Sequence, residues 1–426
     1  MKKLTKRIVA VIAATATLTA FSGGVFAETI VYDNFNNYTA TTTTDLNSYT
    51  ADTSIKFPNS PWGYRFESFG NETDAYGFTR FFKAFVGNSA YPACDDGALV
   101  LGVNRGRDTR AYRLFNTPEL SEEEKLVIEI DVTAYDPDNN PLNGGDEFLK
   151  LLYDSAEGVD DKIPTNDTEL AKLNTRSSWN ANLGGLQYYD YESGTYADMT
   201  HNWAGFGAQY KSITYKYVIN SDGTYDLYLK INAPNDESDY PETRNIFIKV
   251  VSGGKLNKMN GEVKLPNKVL LTSKIYCEYE LEKDLFNYVQ ADNFKVYTVE
   301  SSEAVSKPVI FDQYGNVADS ADIVSGAKLT ATAVVNSNAA NVPVTIISAI
   351  YDSEGYLKKA YIGDDTTYNK VTSDVADASN YNVVNIDFTL PADVEAGDYV
   401  KAYVWDGIDT MIPYSVSSNS VTAAAN

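Results

Sequence analysis

Glu129 and Asp131, in the run Leu126-Val127-Ile128-Glu129-Ile130-Asp131-Val132, stand two residues apart and so project from one face of an extended chain. Two carboxyls facing one bond are what retaining glycoside hydrolysis uses, one as nucleophile and one as acid, about 5 Å apart. The next same-face position is Thr133, and a one-residue bulge would bring Ala134 there instead. No proton donor follows on the strand. Glu129 and Asp131 are kept as the candidate catalytic residues, but the favoured reading makes them the solvated face of a half-buried strand.

Other reactive groups are sparse. His201 is the single histidine, which excludes multi-histidine zinc sites, and no Gly-x-Ser-x-Gly elbow is present. Cys94 and Cys277 are the two cysteines. They are a candidate disulfide or two buried thiols.

Aromatic residues are plentiful. Between Trp179 and Tyr210 the chain sets Trp179, Tyr188, Tyr189, Tyr191, Tyr196, Trp203 and Phe206 among Asn, Gln, Asp and Gly. Sugar rings lay their C–H faces on aromatic rings while amides and carboxylates take the hydroxyls, so at least two exposed, coplanar rings here would make a glycan platform. Trp179, Tyr188, Tyr189, Tyr191 and Trp203 are the candidate sugar-binding residues, against the alternative of ordinary core packing. Trp62 and Tyr64 form a weaker aromatic pair. Arg105, Arg107, Arg110 and Arg113 are the one concentrated basic feature; Arg107 and Arg113 could grip a uronate carboxylate in a bidentate fashion, or pair internally with acids. Asp136, Asp138, Asn140 and Asp146 offer oxygen ligands for a structural calcium, although Pro141 stands where an EF-hand needs glycine.

The elements that must position these residues are strands. Tyr occurs 32 times, and Thr, Asn, Asp and Gly punctuate short alternating runs. Alternation predicts strands over 126–132, 212–219, 224–231, 246–251, 268–280 and 294–299. Asn220-Ser221-Asp222-Gly223 reads as a hairpin turn with positive φ at Asp-Gly. One short helix is expected near Asp167 to Asn174. Residues 300–308 read as a linker ending at Pro308, and five further strands between Lys328 and Asp406 follow it.

The framing motifs Val31-Tyr32-Asp33-Asn34-Phe35 and Ala291-Asp292-Asn293-Phe294-Lys295-Val296-Tyr297, with the Asp222-Gly223-Thr224-Tyr225 hairpin, resemble the concanavalin A-like jelly roll of lectins, glucanases and carbohydrate-binding modules. That resemblance covers roughly residues 29–299 and implies that the first and last strands lie side by side. In laminarinase-like glucanases of this kind three acids line alternate positions of one strand, a pattern that Glu129 and Asp131 leave incomplete. Ala349-Ile350-Tyr351-Asp352, Lys401-Ala402-Tyr403-Val404-Trp405-Asp406 and Thr410-Met411-x-Pro413 resemble the immunoglobulin-like accessory domain of secreted clostridial-type polysaccharide-degrading and surface proteins. It implies a modular secreted protein and assigns no reaction.

The expected fold class is therefore all-β: a large jelly-roll β-sandwich (28–299), the linker, a smaller immunoglobulin-like β-sandwich (309–418) and a tail (419–426). Residues 1–27 read as a signal peptide, with Lys2, Lys3, Lys6 and Arg7 before an apolar stretch and Val25-Phe26-Ala27 as cleavage site. Its removal takes the net charge from −23 to −27, which disfavours nucleic acid and anionic membranes. No later stretch is long and apolar enough to insert in a bilayer. The expected partner is extracellular polysaccharide, bound by a secreted, non-catalytic accessory protein; a jelly-roll hydrolase or lyase, or a surface structural protein, are the alternatives. No cofactor beyond calcium is implied.

Overall fold

A computed structural model describes residues 29–35, 54–56, 61–67, 82–87, 98–103, 108–135, 147–155, 167–175, 186–199, 212–232, 247–274, 287–300, 303–370, 381–414 and 417–424. The signal-peptide residues 1–27, Cys94, Cys277, Trp179, His201, Trp203, Arg105, Arg107 and the calcium candidates Asp136, Asp138, Asn140 and Asp146 lie outside them.

The described residues hold strands and turns and no helix. In chain order the first eighteen strands are β1 Thr29–Asp33, β2 Ser54–Lys56, β3 Trp62–Glu67, β4 Phe82–Gly87, β5 Ala98–Val103, β6 Asp108–Leu114, β7 Glu124–Tyr135, β8 Glu147–Tyr153, β9 Thr168–Thr175, β10 Leu186–Asp190, β11 Thr195–Asp198, β12 Ser212–Asn220, β13 Thr224–Asn232, β14 Ile248–Lys255, β15 Lys258–Met259, β16 Glu262–Val263, β17 Lys268–Lys274 and β18 Asn287–Glu300. The rest are β19 Val309–Phe311, β20 Lys328–Asn336, β21 Val342–Tyr351, β22 Leu357–Ile362, β23 Thr366–Tyr368, β24 Tyr381–Thr389, β25 Tyr399–Trp405 and β26 Val421–Thr422.

Two compact units result, one of Asn34–Glu122 with Ile128–Phe294, the other of Met1–Asp33, Glu123–Val127 and Lys295–Asn426. One eight-stranded sheet runs β14-β13-β12-β7-β18-β5-β4, with β1 also on β18, so the first and last framing strands do pair. A second eight-stranded sheet runs β11-β10-β9-β8-β17-β6-β3-β2. Phe148 of the second sheet meets Tyr215 of the first at 5.4 Å between ring centroids, and Trp62 meets Phe294 at 5.5 Å. The all-β, sandwich-like expectation holds. Trp62 is fully buried between Phe35 and Phe294, which makes it core and removes it from the sugar candidates.

The hairpin of β12 and β13 forms where the alternation placed it. Its loop closes with Gly223 N donating to Asn220 O at 3.0 Å, and Gly223 alone among the loop residues has positive φ, +80°. The turn thus takes the three-residue form with one left-handed residue, in place of positive φ at both Asp and Gly. In place of the helix expected near Asp167 to Asn174, Thr168–Thr175 form β9, paired with β8 and β10. Isolated helices this short are marginal, and two neighbouring strands offer a full ladder of backbone partners.

In the other unit β19-β20-β24 and β22-β21-β25-β26 form two sheets, with β23 on β21. Alternate residues of β21 and β25, including Ile346, Ile350, Val400 and Val404, enter one core with Leu329, Val335 and Phe388. The intervening Ile347, Ala349, Tyr351, Tyr403 and Trp405 form a second buried cluster on the opposite face of β21 and β25, with Ile408 and Met411 packed against it. Val305, inside the expected linker, is buried and bridges to Val335.

Candidate functional site

The second sheet's inward face is marked by Arg113, whose guanidinium carbon lies 5.8 Å from the Phe294 ring centre. Val269 pairs with Arg113 and Leu270 with Lys150, while Lys150 pairs with Lys172. Side chains alternate, so Leu270, Lys150 and Lys172 point away from the inward face. Tyr188 pairs with Leu173, which puts its neighbour Tyr189 on the face of Lys172, and Tyr189 pairs directly with Tyr196.

Two β-bulges then gather the charges. Between β8 and β9 the register slips at Phe148, where Glu147 pairs with Asn174 and Leu149 with Leu173, and again at Leu170, where Leu151 pairs with Ala171 and Leu152 with Glu169. Each bulge inserts one residue, so residues three apart share a face that regular alternation would deny them. Glu147 meets Lys150 at 2.5 Å and Glu169 meets Lys172 at 3.2 Å. Across the strands Lys150 reaches Glu169 at 2.5 Å and Lys172 reaches Glu147 at 2.8 Å. Four charges close a ring.

The tyrosines stand on this ring. Lys172 Nζ lies 4.4 Å from the Tyr189 ring centroid and 5.7 Å from that of Tyr196, within cation–π range. Tyr189 meets Tyr191 at 4.8 Å and 69°, and Tyr196 at 5.1 Å and 78°. The expected coplanar platform is not what these rings make; they pack edge to face, as the ring quadrupole favours. Tyr196 OH donates to Glu147 and Tyr189 OH to Gly194 O. The Tyr191 hydroxyl is buried with no described partner. Tyr188, Tyr189, Tyr191 and Tyr196 are all half-buried, and the turn between β10 and β11 is exposed.

Burial alone would raise the Glu147 carboxyl, but hydrogen bonds from Lys150, Lys172 and Tyr196 outweigh it and hold the group down at about 2. Burial pushes the Tyr196 phenol up, and its bond to Glu147 adds to this. A carboxyl depressed below its unfolded value near 4.5 stabilises the fold above that value, and the gain disappears as pH falls toward 2. Melting curves between pH 5.5 and about 2.5 should therefore show a steep loss of Tm that Glu147→Gln flattens; parallel losses in both proteins would contradict it.

The other sequence candidates separate from this place. Glu129 is buried and ion-paired to Lys216 at 3.0 Å, with Lys216 Nζ 3.9 Å from the Phe247 ring centre. Asp131 accepts hydrogen bonds from Thr214 and, at 3.0 Å, from Asn293. The solvated-face reading is corrected: charged partners on neighbouring strands let Glu129 be buried, and both carboxylates are tied into the first sheet. Arg113, read as a uronate grip or as an internal partner of acids, is 1% exposed and faces inward. A third buried group, Lys268 with Asp154 at 3.4 Å and Asp167 at 2.8 Å, was not anticipated. Burial raises Asp167. Glu147, Lys150, Glu169 and Lys172 were missed as well; the signal was the repeated Glu-x-x-Lys spacing.

No protein-family model matches the chain, and no curated protein matches it. Among solved structures, the alginate lyase AlyC3 in complex with dimannuronate is similar at TM-score 0.26 and 10% identity, over 48% of this chain and 76% of that one. A β-glucuronidase of Bacteroides uniformis gives TM-score 0.20 and 8% identity over 76% of this chain and 26% of its own. The adhesin domain of Epf from Streptococcus pyogenes gives TM-score 0.23 and 10% identity over 94% and 99%. The functional reading rests on the site itself.

Proposed function

We propose that the protein is an exported, non-catalytic carbohydrate-binding protein, its larger unit a concanavalin A-like jelly roll and residues 309–418 an immunoglobulin-like accessory sandwich. The observation that carries this reading is the half-buried cluster of Tyr189, Tyr191 and Tyr196 beside the Lys150, Lys172, Glu147 and Glu169 ring. Rings supply apolar surface for sugar C–H faces, and fixed charged groups at their edge suit hydroxyls. Glu147, held ionised, and Tyr196, held protonated, are poor at moving protons near neutral pH, which supports binding over catalysis. Export follows from the basic and apolar start of residues 1–27, and the acid excess disfavours nucleic acid.

A hydrolase reading has one observation in its favour: Asp154 and Asp167 share Lys268, and Asp167 is raised as a general acid would be. All three side chains are at most 13% exposed, so a structural role is favoured.

The test is affinity electrophoresis of the chain lacking residues 1–27 in gels carrying soluble polysaccharides, beside Tyr189→Ala/Tyr196→Ala. The double variant should lose at least about tenfold in affinity, some 1.4 kcal/mol, while keeping the wild-type circular dichroism. Undiminished retardation in the variant would sink the reading.

A further inference from the structure

We infer that the β10–β11 face is selective for uncharged glycans and rejects those built of uronates. This rests on the sugar-binding reading above and adds the class of sugar. A site for polyuronates needs cations that are free to meet carboxylates, as forked arginines or unpaired lysines do. Here both lysines of the face are already committed: Lys150 lies 2.5 Å from both Glu147 and Glu169, and Lys172 lies 2.8 Å and 3.2 Å from the same two carboxylates. A further lysine, Lys255, is 2.5 Å from Glu192 in the hairpin turn.

Asp198 sits on the same face as Tyr196 and accepts from Gln187 at 2.8 Å, so the face presents the carboxylates of Glu147, Glu169 and Asp198. A uronate entering here meets carboxylates like its own at a face whose lysines are already paired. To gain a lysine it must also displace a carboxylate from the ring, exchanging one ion pair for another with nothing gained. Arg113, whose guanidinium could have forked such a group, is turned inward and buried. A neutral sugar meets none of these costs; its hydroxyls accept from the lysines and donate to the carboxylates without breaking the ring.

The edge-to-face rings add shape. Tyr189 and Tyr196 at 78° form a corner, which suits one sugar unit of a single chain better than the flat face of a crystalline polymer.

The experiment titrates the chain lacking residues 1–27 by calorimetry with cello-, manno-, xylo- and laminari-oligosaccharides and, in parallel, with oligomannuronate and oligogalacturonate. Binding of a neutral class with at least a tenfold preference over both uronates, unchanged between about 0.02 and 0.5 M NaCl, is the expected result. Equal or tighter uronate binding overturns the inference while leaving sugar binding intact. Silence toward every oligosaccharide overturns the reading beneath it and the inference with it. Glu169→Gln, which releases both lysines from one carboxylate, should raise uronate affinity several-fold with wild-type melting; no rise in a folded variant counts against the inference.

Discussion

Lys268→Met should destabilise the larger unit by about 3–5 kcal/mol, the cost of stranding buried charge without its counterion. Lys268 is 1% exposed at its side chain, between Asp154 at 5% and Asp167 at 13%, and its Nζ lies 4.7 Å from the Tyr112 ring centre. Removing the ammonium leaves two carboxylates close together in a poorly solvated place. Neutralising both, in Lys268→Met/Asp154→Asn/Asp167→Asn, should recover much of the loss, because hydrogen-bonding amides are far cheaper to bury than anions. Urea denaturation followed by circular dichroism measures this. A single variant within about 1 kcal/mol of wild type would show that water reaches the triad freely.

The second large effect is expected at Trp405. Its side chain is fully buried against Ile347, Tyr351 and Tyr403 on the face of β21 and β25 opposite the main core. Trp405→Ala should cost about 3–5 kcal/mol through lost burial and the cavity it leaves. The indole Nε1 has no described hydrogen-bond partner, so Trp405→Phe forfeits volume without breaking a bond and should cost well under half as much. Equal losses for the two variants would mean that the indole nitrogen is bonded after all.

Trp405 also explains a motif. Asp406 accepts from Thr410 Oγ1 and, at 3.0 Å, from Ile412 N, while Met411 takes φ of +54° and Tyr414 N donates to Val404 O at 3.0 Å. The Trp-Asp pair and the Thr-Met-x-Pro run that follows are thus one device, a loop that folds Met411 back onto the aromatic cluster. The sequence showed the spacing; the loop's closure shows its purpose.

Composition and alternation determined the strand content. The strands of the β12–β13 hairpin are legible to within a residue at each end, because alternating residue types and a glycine at the one left-handed position are local properties. The candidate site was legible only in its tyrosines. Glu147-x-x-Lys150 and Glu169-x-x-Lys172 carry a spacing that shares a face in a helix and not in a regular strand, and residues 167–174 read as helical because Asp167 or Thr168 could cap and Glu169 suits a first turn. Bulges at Phe148 and Leu170 restore the shared face within a sheet, and a bulge is set by pairing with a neighbouring strand. The same holds for Glu129 and Arg113, whose burial depends on Lys216 and Phe294, 87 and 181 residues further along. In a regular strand the face a residue occupies is written locally; bulges, and what lies opposite, are decided by strands distant in sequence, and the charge ring beside the tyrosines belongs to that second kind.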